Sequence, residues 1–122
     1  MSVETKYNNL IAGEFPVVTE KVTIASGEGE LKKGTILGVV TASGKYAAAD
    51  ATDTGNDATG TATPKAVLLQ DVDTTSADVE GCLVAFTGEF NSAALVAKTG
   101  STVAGFKESL RALSIFVKTD VI

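Results

Sequence analysis

Apolar and polar residues alternate along most of this chain, and a period of two predicts β-strands. From Val17 to Ile24 the apolar side carries Val18, Val22 and Ile24, with Glu20 the one misfit, while Thr19, Lys21 and Thr23 line the other side. Thr35–Thr41 has Ile36 and Val40 on one side and Leu37 and Val39 on the other. Both of its faces ask for cover, so the strand is central in a sheet or turns one face to another subunit. Ser43-Gly44 predicts a two-residue hairpin loop, with Lys45–Ala49 as the returning strand. Ala66–Val72 and Cys82–Phe90 predict two more strands, the second with Cys82, Val84, Phe86 and Phe90 facing inward. Ser114–Ile122 predicts a last one, with Ile115, Val117 and Val121 on one face.

Two places break the alternation toward helix. Asn91 is suited to cap a short helix running through Val96, with Gly100 past its end. Phe106, Leu110 and Leu113 recur at helical spacing and predict a second. The expected fold class is therefore mainly β, a β-rich α+β chain with two short helices. Residues 1–14 show no sustained period; Tyr7, Leu10 and Ile11 stand there as isolated apolar anchors, which reads as a flexible arm ahead of one β-rich domain at 15–122. Residues 50–64 carry no large side chain before Pro64 and read as an exposed acidic loop.

Composition narrows the picture. A chain of 122 residues is one domain's length and buries a real core. With 6% aromatic residues and no Trp, that core is assembled from small pieces. The net charge of −5 repels nucleic-acid phosphates and anionic lipid, and no basic patch offsets it, so neither partner is expected. The acid is concentrated: Asp50–Gly81 holds seven carboxylates against the single Lys65. Polar residues from Glu4 to Asn9 precede any apolar run, so neither a signal peptide nor a membrane span is drawn, and synthesis in a cytoplasm is expected. Cys82 has no second cysteine with which to pair.

Candidate chemistry is sparse. The absence of histidine removes the commonest general base and transition-metal ligand, and the chain is not expected to be an enzyme. Asp50, Asp53 and Asp57 offer oxygen donors, but their spacing departs from the alternating ligands of a calcium loop. Asp71 and Asp73 flank Val72 and could pair as carboxylates, although DVDTTSAD has the content of a turn. Cys82 lies on an apolar strand face and reads as a buried small hydrophobe. Gly27-Glu28-Gly29 lacks the third glycine of a phosphate cradle, and Lys32-Lys33 has no neighbouring aromatic on which a base would stack. No catalytic residue, metal or cofactor is expected.

The order of several short motifs is more informative than any one of them. Lys33-Gly34-Thr35, Gly44-Lys45-Tyr46, Asp71-Val72-Asp73, Gly88-Glu89-Phe90-Asn91 and Leu110-Arg111 follow one another at spacings that resemble the head decoration proteins of tailed phages, the lambda head decoration family, over roughly Gly13–Val117. The resemblance implies a small β-barrel or β-tulip-like subunit that forms homotrimers and sits on the outer surface of the expanded capsid at three-fold positions. There it would bind the major capsid protein and strengthen the virion head against packaged DNA, after synthesis in the host cytoplasm. On that reading Tyr7, Leu10 and Ile11 of the arm contact the capsid, and Leu37, Val39 and Tyr46 of the doubly apolar hairpin form the trimer interface. The alternative is a β-clip-like module in which the KKGTILG stretch frames a cleft for a small molecule such as a sugar.

Overall fold

A computed structural model describes residues 17–53, 59–98 and 100–118. Its strands are β1 (Thr19–Ile24), β2 (Glu30–Leu31), β3 (Ile36–Val39), β4 (Tyr46–Ala48), β5 (Pro64–Leu68), β6 (Val72–Asp73), β7 (Val79–Ala85), β8 (Gly88–Asn91) and β9 (Ile115–Lys118). Five of them close a barrel in the order β1-β4-β3-β5-β7, with β7 returning to β1. The ladders are antiparallel except at one seam, where β1 runs parallel to β4 and meets it at the single pair Ile24–Tyr46. Along its other edge β1 pairs with β7 from Thr19–Ala85 to Ile24–Val79, with a register shift between Val22 and Ile24. The chain is thus mainly β and built on a small barrel.

Alternation supplies two cores. One cluster takes Ile24, Leu37, Ala48, Ala66, Leu68, Cys82 and Val84, which come from all five barrel strands. Only the inside of a closed barrel is common to every strand, so these residues fill it. Leu31 and Val72, on the paired β2 and β6, join the same cluster. The opposite faces of β3, β5 and β7 present Ile36, Val67 and Ala85 outward to a second cluster. There they meet Phe90 of β8, Phe106 and Leu110 of the helix α1 (Val103–Arg111), and Ile115 and Val117 of β9. Strands β8 and β9 pair in parallel as a separate two-stranded sheet. Thr102 caps α1 by accepting from the Gly105 amide through its side chain, satisfying one of the free donors of the first turn.

This arrangement explains why Thr35–Thr41 is apolar on both faces. β3 is central, between β4 and β5, with Leu37 pointing into the barrel and Ile36 under the C-terminal layer. For Ile36 and Leu37 the cover comes from the chain itself, whereas Val39 and Val40 are half-buried. The hairpin loop is four residues, Thr41–Gly44, rather than two: the Val40 amide donates to the Lys45 carbonyl at 2.8 Å, and the amides of Ser43 and Gly44 both donate to Val40. The two long predicted strands are each split. Ala66–Val72 breaks after Leu68, so that Val72 pairs with β2 instead of the barrel, and Cys82–Phe90 breaks at Phe86-Thr87, where the chain leaves one sheet for another. Of the two expected helices, the first is a single 3₁₀ turn at Ser92–Ala94, and Leu113 lies beyond the end of the second.

Candidate interaction surface

Leu37, Val39 and Tyr46 separate in the structure. Leu37 is completely buried inside the barrel and has no surface to offer a neighbour, which corrects its expected place in an interface. Val39 and Tyr46 face each other across the β3–β4 ladder and are half-buried at one end of the barrel. The Tyr46 ring stacks on Phe86, with ring centroids 6.4 Å apart and planes inclined by 28°. Burial raises the Tyr46 hydroxyl above its ordinary pKa, and the nearby Glu20 charge adds to the effect.

Phe86, expected to face inward, packs half-buried against the barrel core at this end, and Val18 of the apolar side of the first strand is tied to it. The Phe86 amide donates to the Val18 carbonyl at 2.7 Å, and the Val18 amide donates to the Thr87 hydroxyl at 3.1 Å. Val17 and Val18 are 36% and 50% exposed. Val39, Tyr46 and Phe86 thus follow one another at this barrel end, and Phe86 is tied to Val18, close to where residues 1–16 join the described chain. The missed signal is positional: a large apolar residue one step before Thr87-Gly88 sits at a strand's end, where alternation continues but the barrel does not. Tyr7, Leu10 and Ile11, the expected capsid contacts, lie outside the described residues.

The described residues of the acidic stretch are tied down at several points. Asp50 closes a turn onto Thr52 and stands 3.6 Å from the Lys98 ammonium. The Asp53 carboxylate accepts from the amides and hydroxyls of both Thr59 and Thr61. Thr61 and Pro64 are buried, so only part of residues 50–64 faces solvent. Asp57 lies outside the described residues. Asp71 accepts from the Lys33 amide, and Asp73 accepts from the amide and hydroxyl of Thr75, so both are spent on turns. Among the described residues no three acidic, histidine or cysteine groups converge on a point where a metal ion would sit. Cys82 is buried, its thiol 3.3 Å from the Val79 carbonyl, and burial raises its pKa.

The Lys32–Thr35 stretch does border a groove of about 340 Å³, which Glu28, Ala48, Val96 and Lys98 also line. Its Glu28 carboxylate is already engaged by the Ala48 amide at 3.0 Å. Among the described residues no buried side-chain nitrogen or oxygen lacks a hydrogen-bond partner.

Asp50, Asp53, Asp73 and Asp78 are all held below the ordinary aspartate pKa of 3.8. Hydroxyl and amide donors are the main cause for the first three, and the Lys45 ammonium leads for Asp78. A carboxylate depressed in the folded state stabilises it above the unfolded pKa and loses that contribution as pH falls through the folded value. Melting temperature is therefore expected to be level from pH 5 to 7 and to fall below about pH 4. Thermal melts across that range check it, and a melting temperature still level at about pH 2 would remove these carboxylates from the stability of the fold.

No helix among the described residues is long and apolar enough to cross a membrane. Among curated proteins none matches the chain. The family model for bacteriophage lambda head decoration protein D matches residues 5–115, which takes in the barrel, the helix and the start of β9. The chain accordingly belongs to the bacteriophage lambda head decoration protein D family, whose members are structural proteins of the phage capsid.

Proposed function

We propose that this protein assembles as a homotrimer on the outer surface of the expanded phage head, at three-fold positions, and reinforces the shell of major capsid protein against packaged DNA. The observation that carries this reading is the family match from residue 5 to residue 115, which extends through most of the N-terminal arm as well as the barrel. A closed three-fold ring needs two different surfaces on each subunit. The barrel end with Val39, Tyr46 and Phe86 supports one of them, since aromatic residues are enriched where protein surfaces meet. Tyr7, Leu10 and Ile11 are the proposed shell contacts, with the arm adding a strand to an exposed capsid edge. Three tethered arms raise avidity by roughly 10²–10⁴ over one, which is why trimerisation belongs to the mechanism. Binding that favours the expanded shell stabilises that state by mass action.

Deleting residues 1–12 is expected to leave a folded trimer that no longer binds expanded shells. Light scattering reads the mass of both forms, and sedimentation with empty shells reads binding. A truncated form that still sediments with shells removes the arm from the mechanism. A full-length protein that remains monomeric from micromolar to millimolar concentration overturns the trimer.

A further inference from the structure

Residues 59–61 cross the outer face of β3 so closely that no side chain would fit between the two backbones. A Cβ placed on Gly38 would lie 2.8 Å from the Thr61 carbonyl oxygen and 2.9 Å from its Cα. One placed on Gly60 would lie 2.9 Å from the Val39 carbonyl. Backbone meets backbone here because both crossing points are glycine. The crossing is tied at each side: the Thr41 amide donates to the Thr59 carbonyl at 2.8 Å, and the Asp50 amide donates to the Thr61 carbonyl at 3.0 Å. What draws it down is Asp53. Its carboxylate takes the Thr59 amide at 2.9 Å, the Thr59 hydroxyl at 2.7 Å, the Thr61 amide at 2.9 Å and the Thr61 hydroxyl at 2.6 Å.

We propose that residues 59–61 are a strap latched across the outer face of β3 by the single carboxylate of Asp53, and that this strap opens as a unit separate from the barrel. The separation follows from where each set of residues is anchored. No residue of the strap belongs to either apolar cluster, whereas β3 itself is held by Leu37 inside and Ile36 outside. The strap's hold is polar, and four of its donors converge on one side chain beside the two backbone bonds from Thr41 and Asp50, so loss of that side chain removes most of it. Regions secured by hydrogen bonds with few apolar contacts are the ones that open below the global unfolding free energy.

Amide hydrogen exchange on the full chain at neutral pH tests the idea with two substitutions that act from opposite sides. Asp53→Asn keeps the size of the latch but replaces one acceptor oxygen by a donor. Gly38→Ala keeps the latch and pushes the strap away from β3. In Asp53→Asn the amides of Asp50, Thr59 and Thr61 are expected to exchange at least about tenfold faster, and in Gly38→Ala that of Asp50, whose acceptor on Thr61 the added methyl crowds, while those of Leu68 and Val84 keep their protection in both. Unchanged exchange at the strap in Asp53→Asn overturns the latch. Equal loss of protection at Leu68 and Val84, or a variant that fails to fold, overturns the separation, because the strap would then be part of the barrel's cooperative unit.

Discussion

Phe90→Ala is expected to destabilise the fold by about 3–5 kcal/mol, the usual cost of emptying a fully buried phenylalanine site. The ring lies at 0% exposure among Phe106, Leu110, Ile115 and Val117, and through them touches the outward faces of β3, β5 and β7. Those contacts are what join the β8–β9 sheet and α1 to the barrel. Its neighbours are themselves buried side chains fixed on α1 and on strands of two sheets, which limits how far they move into the gap. The cavity term should therefore add to the transfer term rather than relax away. Urea denaturation measures the loss directly; a change smaller than about 1 kcal/mol would mean that the C-terminal layer is not held by this core.

Leu37→Ala tests the other core and is expected to cost about 2–5 kcal/mol. It also separates two readings of one sequence pattern. If Leu37 were an interface residue, its removal would weaken association and leave the subunit intact, so the loss would shrink as protein concentration rises. Because it fills the barrel beside Ala48 and Ala66, its cross-strand partners, the loss should be independent of concentration. Denaturation at two concentrations a hundredfold apart makes the distinction. A penalty that disappears at the higher concentration would return Leu37 to the interface.

The strands around Val22, Leu37, Val67 and Val84 were legible because alternation records burial directly. Alternation does not record which strand is the neighbour. Cys82, Val84, Phe86 and Phe90 keep one parity through a point where the chain passes from the barrel to the β8–β9 sheet, so the split at Phe86-Thr87 left no trace in the pattern. Nor does an apolar strand face say whether its cover is the same chain or another, which is why Ile36 and Leu37 pointed equally to a central strand and to a subunit contact. Residues 50–64 misled for a related reason. Small side chains imply no core, yet Thr61 is buried because Gly38, far away in sequence, leaves room for its backbone. Of the surface at the barrel end, Val39 and Tyr46 were readable from the hairpin, whereas Val18 and Phe86 joined them only through the fold.

On the proposed anchoring through the N-terminal arm, the single pair joining β1 to β4 has a mechanical meaning. Tension pulling on the residues before Val17 enters β1 along its length, and the weak seam carries little of it. The load falls on the β1–β7 ladder, whose pairs from Thr19–Ala85 to Ile24–Val79 share it in shear instead of peeling apart one at a time. A subunit held in that way would be gripped along its five-pair β1–β7 ladder.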